Sequence, residues 1–285
     1  MNNLIKRIIS GAVFGIVMLA AFLTNKYVFG AIMLFALIVM MREFLRMTCG
    51  TDYKYSQILS ILAGAILFTL VYLFKGFGLP GKLVILAFVP VFILMVNSLY
   101  VKDKSRFDKF ANLYTAILYI AVPWSLMNFA AFGFEGVFNG KLILCFFCII
   151  WGSDVGAYAF GMALGQKYGK KLFPSISPKK SWIGFWGGML TAVCVSILLY
   201  KVDLFPIYAG HPIFNLVHCI AIAVLLDIAG VYGDLIESQW KRHYNVKDSG
   251  FLIPGHGGLL DRFDSALIAI PIGIIYLVAL NALCV

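Results

Sequence analysis

The sequence predicts an all-α polytopic membrane protein with about nine transmembrane helices and a cytoplasmic N-terminus. Hydrophobic residues make up 62% of its 285 residues and charged residues only 13%, whereas a soluble domain carries about 25% charged residues. The mean hydropathy is +0.93. A soluble enzyme is therefore excluded, and the net charge of +10 has to be explained by the position of basic residues along a membrane rather than by nucleic-acid binding.

Nine apolar runs are each long enough to cross a hydrocarbon core, which takes about 17–25 helical residues. In order they are 4–24, 27–47, 57–74, 82–100, 111–132, 141–165, 182–200, 212–232 and 266–284. The first run lacks a small-x-small cleavage site and is interpreted as a retained helix. No repeat or Pro-rich linker separates the runs, so we expect one membrane domain, 1–285, in which 1–132 forms the N-terminal helices and 141–285 carries the chemistry.

The orientation follows from the basic residues between the runs. A cytoplasmic N-terminus puts 18 of the 23 Lys and Arg residues on the cytoplasmic side, as the positive-inside rule predicts. It also puts the two long polar connections, 166–181 and 233–265, on that face, where we expect the chemistry of an inner (plasma) membrane protein. The six cysteines lie in or beside apolar runs and are expected to be reduced.

Carboxylates inside apolar runs are costly and indicate function. Asp154 lies in WGSDVGAYAFG, where the spacing of Gly152 and Gly156 predicts a closely packed neighbouring helix. Farther along, helical spacing places one polar stripe on one face, namely Asp227, Gly230, Asp234, Ser238 and Lys241. Asp154 could simply bond across a helix interface, and the stripe could be a solvated helix end. A hard-cation site is favoured, because oxygen ligands suit Mg²⁺.

The segment VKDSGFLIPGHGGLLDRFDS joins glycine-rich backbone to an Asp-Arg-x-Asp cluster. Gly257 and Gly258 allow close approach, so that backbone N–H groups can bind an anion. The carboxylates would hold a metal ion, while Arg262 and Lys247 would face phosphate oxygens. His256 is either a proton carrier or a structural residue of the turn, and the structural role is favoured.

The connection GKKLFPSISPKKSWIG concentrates positive charge between two prolines. A basic loop beside a bilayer is usually an orientation signal or a contact for anionic lipids. The constrained run Ser177-Pro178-Lys179-Lys180 slightly favours binding of substrate phosphate instead.

Together these segments resemble the phosphatidate cytidylyltransferase family, also called CDP-diacylglycerol synthases. The matching residues are Ser238, Lys241-Arg242, Lys247-Asp248, Pro254-Gly255-His256-Gly257-Gly258 and Asp261-Arg262-Phe263-Asp264, without a gap. WGSDVGAYAFG and SPKKSW are also similar to the family. Ile183 departs from the pattern, because the family usually has an acidic residue there. The resemblance covers 151–265.

The resemblance implies a reaction that joins phosphatidate to CTP and gives CDP-diacylglycerol and pyrophosphate, with Mg²⁺ and with K⁺ as a second cation. It implies Mg²⁺ ligands at Asp234, Asp261, Ser238 and Asp264. It implies catalytic roles for Asp234, Asp261, Asp264, Lys241 and Arg262. It implies substrate binding by Asp154, Ser177, Lys179, Lys180, Arg242, Lys247, His256, Gly257 and Gly258. It also suggests a homodimer in the lipid bilayer.

Two other classes of protein remain as alternatives. An ion-coupled transporter would also carry carboxylates in membrane helices, but repeat symmetry and broken helices near the midplane would be expected. A non-catalytic protein that binds anionic lipids would explain the basic loops, but it leaves the spaced carboxylates without a task.

Overall fold

The structure is a computed structural model of the chain. It describes residues 3–102, 105–132, 136–206, 215–255, 257–281 and 283, with residues 3–6 described by their backbone alone. His256 and Cys284 lie outside the described residues. The five cysteines inside them are all free, as the sequence predicted.

The described chain forms nine helical segments. They are α1 (Asn3–Leu23), α2 (Lys26–Cys49), α3 (Lys54–Phe77), α4 (Gly81–Tyr100), α5 (Phe107–Ala131), α6 (Lys141–Tyr168), α7 (Trp182–Lys201), α8 (Leu216–His243) and α9 (Leu260–Ala279). Eight of them, α2 to α9, are long and apolar enough to cross a membrane, and α1 is apolar over the shorter stretch Arg7–Leu23. The predicted all-α polytopic membrane fold is therefore confirmed, and the protein is an integral membrane protein.

The predicted connection 233–265 is wrong in extent. α8 continues to His243 and α9 already begins at Leu260, so only 244–259 separates the two helices. The apolar run ends near residue 232 because polar side chains begin there, but the backbone stays helical. Hydropathy describes whether a side chain prefers water or an apolar medium. A helix requires only that its backbone hydrogen bonds continue, so it can extend beyond the apolar run.

The predicted connection 166–181 contains a small antiparallel hairpin. α6 reaches Tyr168 after a π-helical segment, Gly161–Gly165. Strands β1 (Lys171–Phe173) and β2 (Ser177–Ser181) then pair. Ser181 caps the next helix by accepting a hydrogen bond from the Gly184 N–H at 3.2 Å, so the hairpin leads directly into α7.

The chain forms two compact units. Unit 1 comprises Met1–Asn128 and Tyr244–Phe263, and unit 2 comprises Phe129–His243 and Asp264–Val285. In unit 1, α2 packs against α1, α3 and α5. The segment 244–259 joins this unit through α1, because the Ser10 hydroxyl donates a hydrogen bond to the Pro254 carbonyl at 3.0 Å.

Glycines set the packing of α6 against α7 inside unit 2. A Cβ added at Gly156 would come within 2.9 Å of the Gly187 carbonyl oxygen, and one at Gly152 within 2.8 Å of Val195. The two backbones can approach this closely only where side chains are missing. The close helix neighbour predicted from the glycine spacing is therefore confirmed, and it is α7.

Candidate active site

The polar stripe of α8 is a buried face of unit 2. All five predicted residues lie on this helix. Asp227 is 1% exposed, Ser238 8% and Lys241 9%, while Asp234 is half-buried. A solvated helix end would expose these groups, so the structure contradicts that alternative and favours a site.

Asp234 is held by side chains from two elements. The Lys180 ammonium, on β2, lies 2.7 Å from Asp234 Oδ2. The Ser238 hydroxyl, one turn farther along α8, donates a hydrogen bond to Asp234 Oδ1 at 3.1 Å. The hairpin thus brings a cation from the basic connection to a carboxylate of the stripe, and both predicted site residues meet in one ion pair.

Asp264, on α9, belongs to the same cluster. A Cβ at Gly233 would come within 2.6 Å of the Asp264 carbonyl oxygen, so the missing side chain lets α8 and α9 approach closely. Asp264 is half-buried, and it interacts electrostatically with Asp234, Asp154 and Lys241. Two further carboxylates of unit 2 therefore lie within electrostatic range of Asp264, and cationic side chains balance part of this negative charge.

The intramembrane carboxylates differ from each other in their surroundings. Asp154 is exposed, whereas Asp227 is buried. The hydroxyl of Ser153 donates a hydrogen bond to Asp227 Oδ1, which ties α6 to α8 at the start of the polar stripe. The bond across a helix interface that was considered for Asp154 is thus made by its neighbour.

Lys241 has a partner that the sequence analysis missed. Its ammonium pairs with the carboxylate of Glu237, one turn earlier on α8. Glu237 is fully buried. The i,i+4 spacing of opposite charges was a signal that could have revealed the pair.

Asp261, in unit 1, accepts hydrogen bonds from backbone N–H groups. Its Oδ2 accepts hydrogen bonds from the Gly258 N–H at 2.8 Å and the Ser249 N–H at 3.0 Å. Gly257 has φ +85°, and a Cβ there would come within 2.7 Å of Asp261 Oδ2. The Gly258 N–H of the glycine-rich turn thus binds the carboxylate of Asp261 in this structure, and substrate binding by Gly257 and Gly258 stays a prediction.

Glu43 is a second residue that the sequence analysis missed. It lies on α2, is 9% exposed, and accepts hydrogen bonds from the N–H groups of Leu259 and Leu260 at 3.1 and 2.8 Å. These N–H groups lie at the beginning of α9, where a helix has no backbone acceptors of its own and where negative charge is stabilising. Its position as the acidic residue of an apolar run was the available signal.

Basic side chains of unit 1 line an open cavity of about 660 Å³. Lys247 and Arg262, both predicted to bind phosphate, line it together with Arg7 of α1. Gly257 also contributes to the wall.

The other predicted residues take peripheral positions. Lys179 is exposed on β2, and Ser177 is half-buried at the start of that strand. Arg242 is exposed in the last turn of α8. Ile183 lies in the first turn of α7 and is half-buried.

The donor set in unit 2 suits a hard cation with few protein ligands. Among the described residues no three His, Cys, Asp or Glu side chains lie together as a group that could hold a metal ion. Mg²⁺ commonly takes one or two protein carboxylates and completes its shell with water and substrate phosphate. Asp234 and Asp264, with the Ser238 hydroxyl, provide such oxygen donors. Lys180 and Lys241 balance only part of the negative charge that the buried carboxylates carry, so a divalent ion fits.

The chain is similar to proteins named phosphatidate cytidylyltransferase. It is 35% identical over 190 residues to one from Bacillus subtilis, with 65% of each chain covered. It is 37% identical over 182 residues to one from Staphylococcus epidermidis, with 64% of each covered. It is 39% identical over 160 residues to one from Rickettsia bellii, with 56% of this chain and 66% of the other covered. The chain thus spans just under two thirds of the length of these relatives.

A sequence model of a protein family matches more of the chain than these pairwise alignments cover. The sequence model described as the cytidylyltransferase family matches residues 5–280, which include every helix that carries a candidate residue. Since this match includes the buried stripe of α8, the hairpin and the glycine-rich turn, the chain belongs to the cytidylyltransferase family.

Proposed function

We propose that this protein transfers the cytidylyl group of CTP to phosphatidate and forms CDP-diacylglycerol and pyrophosphate. The observation that carries the proposal is the cluster in unit 2, where Asp234 is paired with Lys180 and lies within electrostatic range of Asp264. Carboxylates and ammonium groups on buried helix faces are expensive in a membrane protein, and two polyanionic substrates that need a cation account for both kinds of charge. Relatives with the corresponding name support the choice of substrates.

The reaction does not require a strong general acid or base from the protein. A phosphate monoester has a second pKa near 6 and is largely dianionic at pH 7, so an oxygen of phosphatidate can attack the α-phosphorus of CTP without prior deprotonation. The bond from the α-phosphorus to the bridging oxygen breaks, and pyrophosphate leaves with the electron pair. The protein has to bring the two polyanions together and stabilise the charge that moves to the leaving group.

Each charged residue has a task in this scheme. Lys180 and Lys241 of unit 2 neutralise phosphate oxygens, and Lys180 exchanges its bond to Asp234 for a substrate oxygen. Arg262, through its planar guanidinium, can hold two phosphate oxygens in fixed geometry.

Mg²⁺ would be held by Asp234 and Asp264 with the Ser238 hydroxyl. It would supply positive charge to the phosphate oxygens as pyrophosphate leaves. The resemblance of the signature residues supports Asp261 as a ligand and K⁺ as a second cation, and it also supports a homodimer.

We further propose the inner membrane as the location and a cytoplasmic face for the site, on the strength of the basic residues between the helices. Single cysteines in a background without native cysteines test this orientation. We expect cysteines at Ser105 and Ser175, both exposed, to react with an impermeant thiol reagent from the cytoplasmic side, and one at Val137, 63% exposed, from the other side. Labelling of positions 105 and 175 from opposite sides would contradict the topology.

The function itself is tested by pyrophosphate release from purified protein in detergent micelles. Release should require CTP, Mg²⁺ and phosphatidate together, and the lipid product should be CDP-diacylglycerol. Phosphatidylcholine in place of phosphatidate is the control, since it has no phosphate monoester to attack. Absence of release with all three components would reject the proposal, and both a transporter and a non-catalytic lipid-binding protein predict that outcome.

A further inference from the structure

The basic cavity of unit 1 opens beside an apolar groove. The cavity, about 660 Å³, is lined by three basic side chains, those of Arg7, Lys247 and Arg262, and by one carboxylate, that of Asp248. The groove, about 650 Å³, runs along α1. Ile253 and Pro254 line both, so the two spaces lie side by side.

The groove is built from one face of α1 and the segment 244–259. Ile9, Val13 and Val17 are four residues apart, which puts them on one side of the helix over about 12 Å at 1.5 Å per residue. They are 49%, 54% and 40% exposed, and Leu252 opposite them is 50% exposed. The hydroxyl of Ser10, also in the groove wall, already bonds to backbone carbonyls. An apolar ligand therefore fits the groove, and a nucleoside does not.

Arg7 lines the basic cavity and lies close to the turn at Gly255. It lies two residues before Ile9, where the apolar face of α1 begins. Gly255 has φ +77°, and a Cβ there would come within 2.9 Å of the Arg7 side-chain stem. The missing side chain at Gly255 thus lets the arginine lie against the turn, with its charge beside Lys247 and Arg262.

Three basic groups at one end and an apolar surface at the other match the two ends of an anionic lipid. We infer that this pair of spaces binds one molecule of phosphatidate, with its phosphate monoester in the cavity at Arg7, Lys247 and Arg262 and an acyl chain along the α1 groove. The inference rests on the proposed function and adds to it a lipid-binding residue, Arg7, that the sequence analysis did not single out. Guanidinium groups suit this task because they bind phosphate oxygens in pairs.

Photocrosslinking locates the lipid without using activity. Phosphatidate with a diazirine in one acyl chain is added to the full-length protein in detergent micelles, and mass spectrometry identifies the labelled residues. We expect labels within 9–17 and 252–254, reduced by unlabelled phosphatidate and unchanged by CTP or phosphatidylcholine. Labels confined to other helices, or equal competition by phosphatidylcholine, would overturn the inference.

Variants separate the two halves of the site. Arg7→Ala should raise KM for phosphatidate by about tenfold, the effect of one lost charge-assisted bond, and leave KM for CTP unchanged. Arg46→Ala, an exposed arginine of α2 outside the cavity, is the matched control. Val13→Trp should fill the groove and reduce labelling, whereas Leu19→Trp, on α1 but outside the groove, should not.

The outcomes distinguish this inference from the proposed function. Labels on α1 without pyrophosphate release would uphold the lipid site and reject the cytidylyltransferase reaction. Release with a wild-type KM for phosphatidate in Arg7→Ala would uphold the reaction and overturn the lipid site. A raised KM for CTP alone would identify the cavity as a nucleotide site and would also overturn it.

Discussion

Asp234 and Asp261 have the same predicted task, but the structure holds them by different means. Asp234 is bound by the side chains of Lys180 and Ser238, whereas Asp261 is bound by the backbone N–H groups of Ser249 and Gly258. Side-chain partners can turn away when a cation or substrate arrives, but backbone donors move only if the turn moves. Asp234 is therefore free to exchange partners, and Asp261 also determines the shape of a loop.

The substitutions with the largest expected effects test this difference between the two carboxylates. Asp234→Asn and Asp261→Asn should each lower kcat by about a hundredfold or more, because each removes an anionic ligand of the proposed metal site. Only Asp261→Asn should also increase proteolysis within 244–259, since its NH2 group replaces one of the two carboxylate oxygens that accept from the Ser249 N–H. Near-normal turnover of either variant at saturating Mg²⁺ would contradict the metal assignment, and equal proteolysis of both would contradict the comparison.

Substitution of Glu43 tests how much its hydrogen bonds to backbone N–H groups stabilise unit 1. Glu43→Ala leaves the N–H groups of Leu259 and Leu260 without their acceptor, at a cost of about 2 kcal/mol or more, so Tm in detergent should fall by about 4–8 °C. Glu43→Gln keeps the shape and one acceptor oxygen and should lose less. An unchanged Tm in the alanine variant would show that this cap is unimportant.

Substitution of either of two neighbouring lysines of β2, in unit 2, should have a smaller effect on the kinetics. Lys180 pairs with Asp234, while Lys179 is exposed. Lys180→Ala should lower kcat/KM for CTP by about tenfold, and Lys179→Ala should mainly raise KM, by less than about threefold. Steady-state kinetics with both substrates varied provide the measurement. The reverse order would mean that the ion pair is only structural.

The smallest effect concerns Asp52, a half-buried carboxylate that pairs with Lys109 and Arg106 and lies far from Asp234 and Asp261 in sequence. Hydrogen bonds from Lys109 and then Arg106 hold the pKa of Asp52 below its ordinary value of 3.8. The charged form is thus favoured in the folded state, so this stabilisation is present above pH 3.8 and is lost as the pH falls through the lowered pKa. Asp52→Asn should reduce Tm slightly at pH 7, and the difference from wild type should shrink in acid. A difference that grows in acid would contradict this sign.

Sequence reasoning predicted the helices better than the contacts. Each of the nine apolar runs corresponds to a helix, because crossing a membrane requires both length and apolarity. The run near α8 was cut short at residue 232, although Asp234, Ser238 and Lys241 kept helical spacing. Glu43 was missed because its partners, Leu259 and Leu260, lie far along the chain, and the spacing within one segment carries no information about such a partner.

The discontinuous composition of unit 1 has a consequence for biogenesis. Its two parts, Met1–Asn128 and Tyr244–Phe263, are separated by all of α6, α7 and α8. A ribosome makes the chain from the N-terminus, and domains generally fold in that order, but this unit cannot be finished until three further helices have been synthesised. The carboxylate of Glu43 must therefore enter the membrane with α2 well before its N–H partners exist. The first part of the protein to be made therefore stays incomplete until most of the chain has been synthesised.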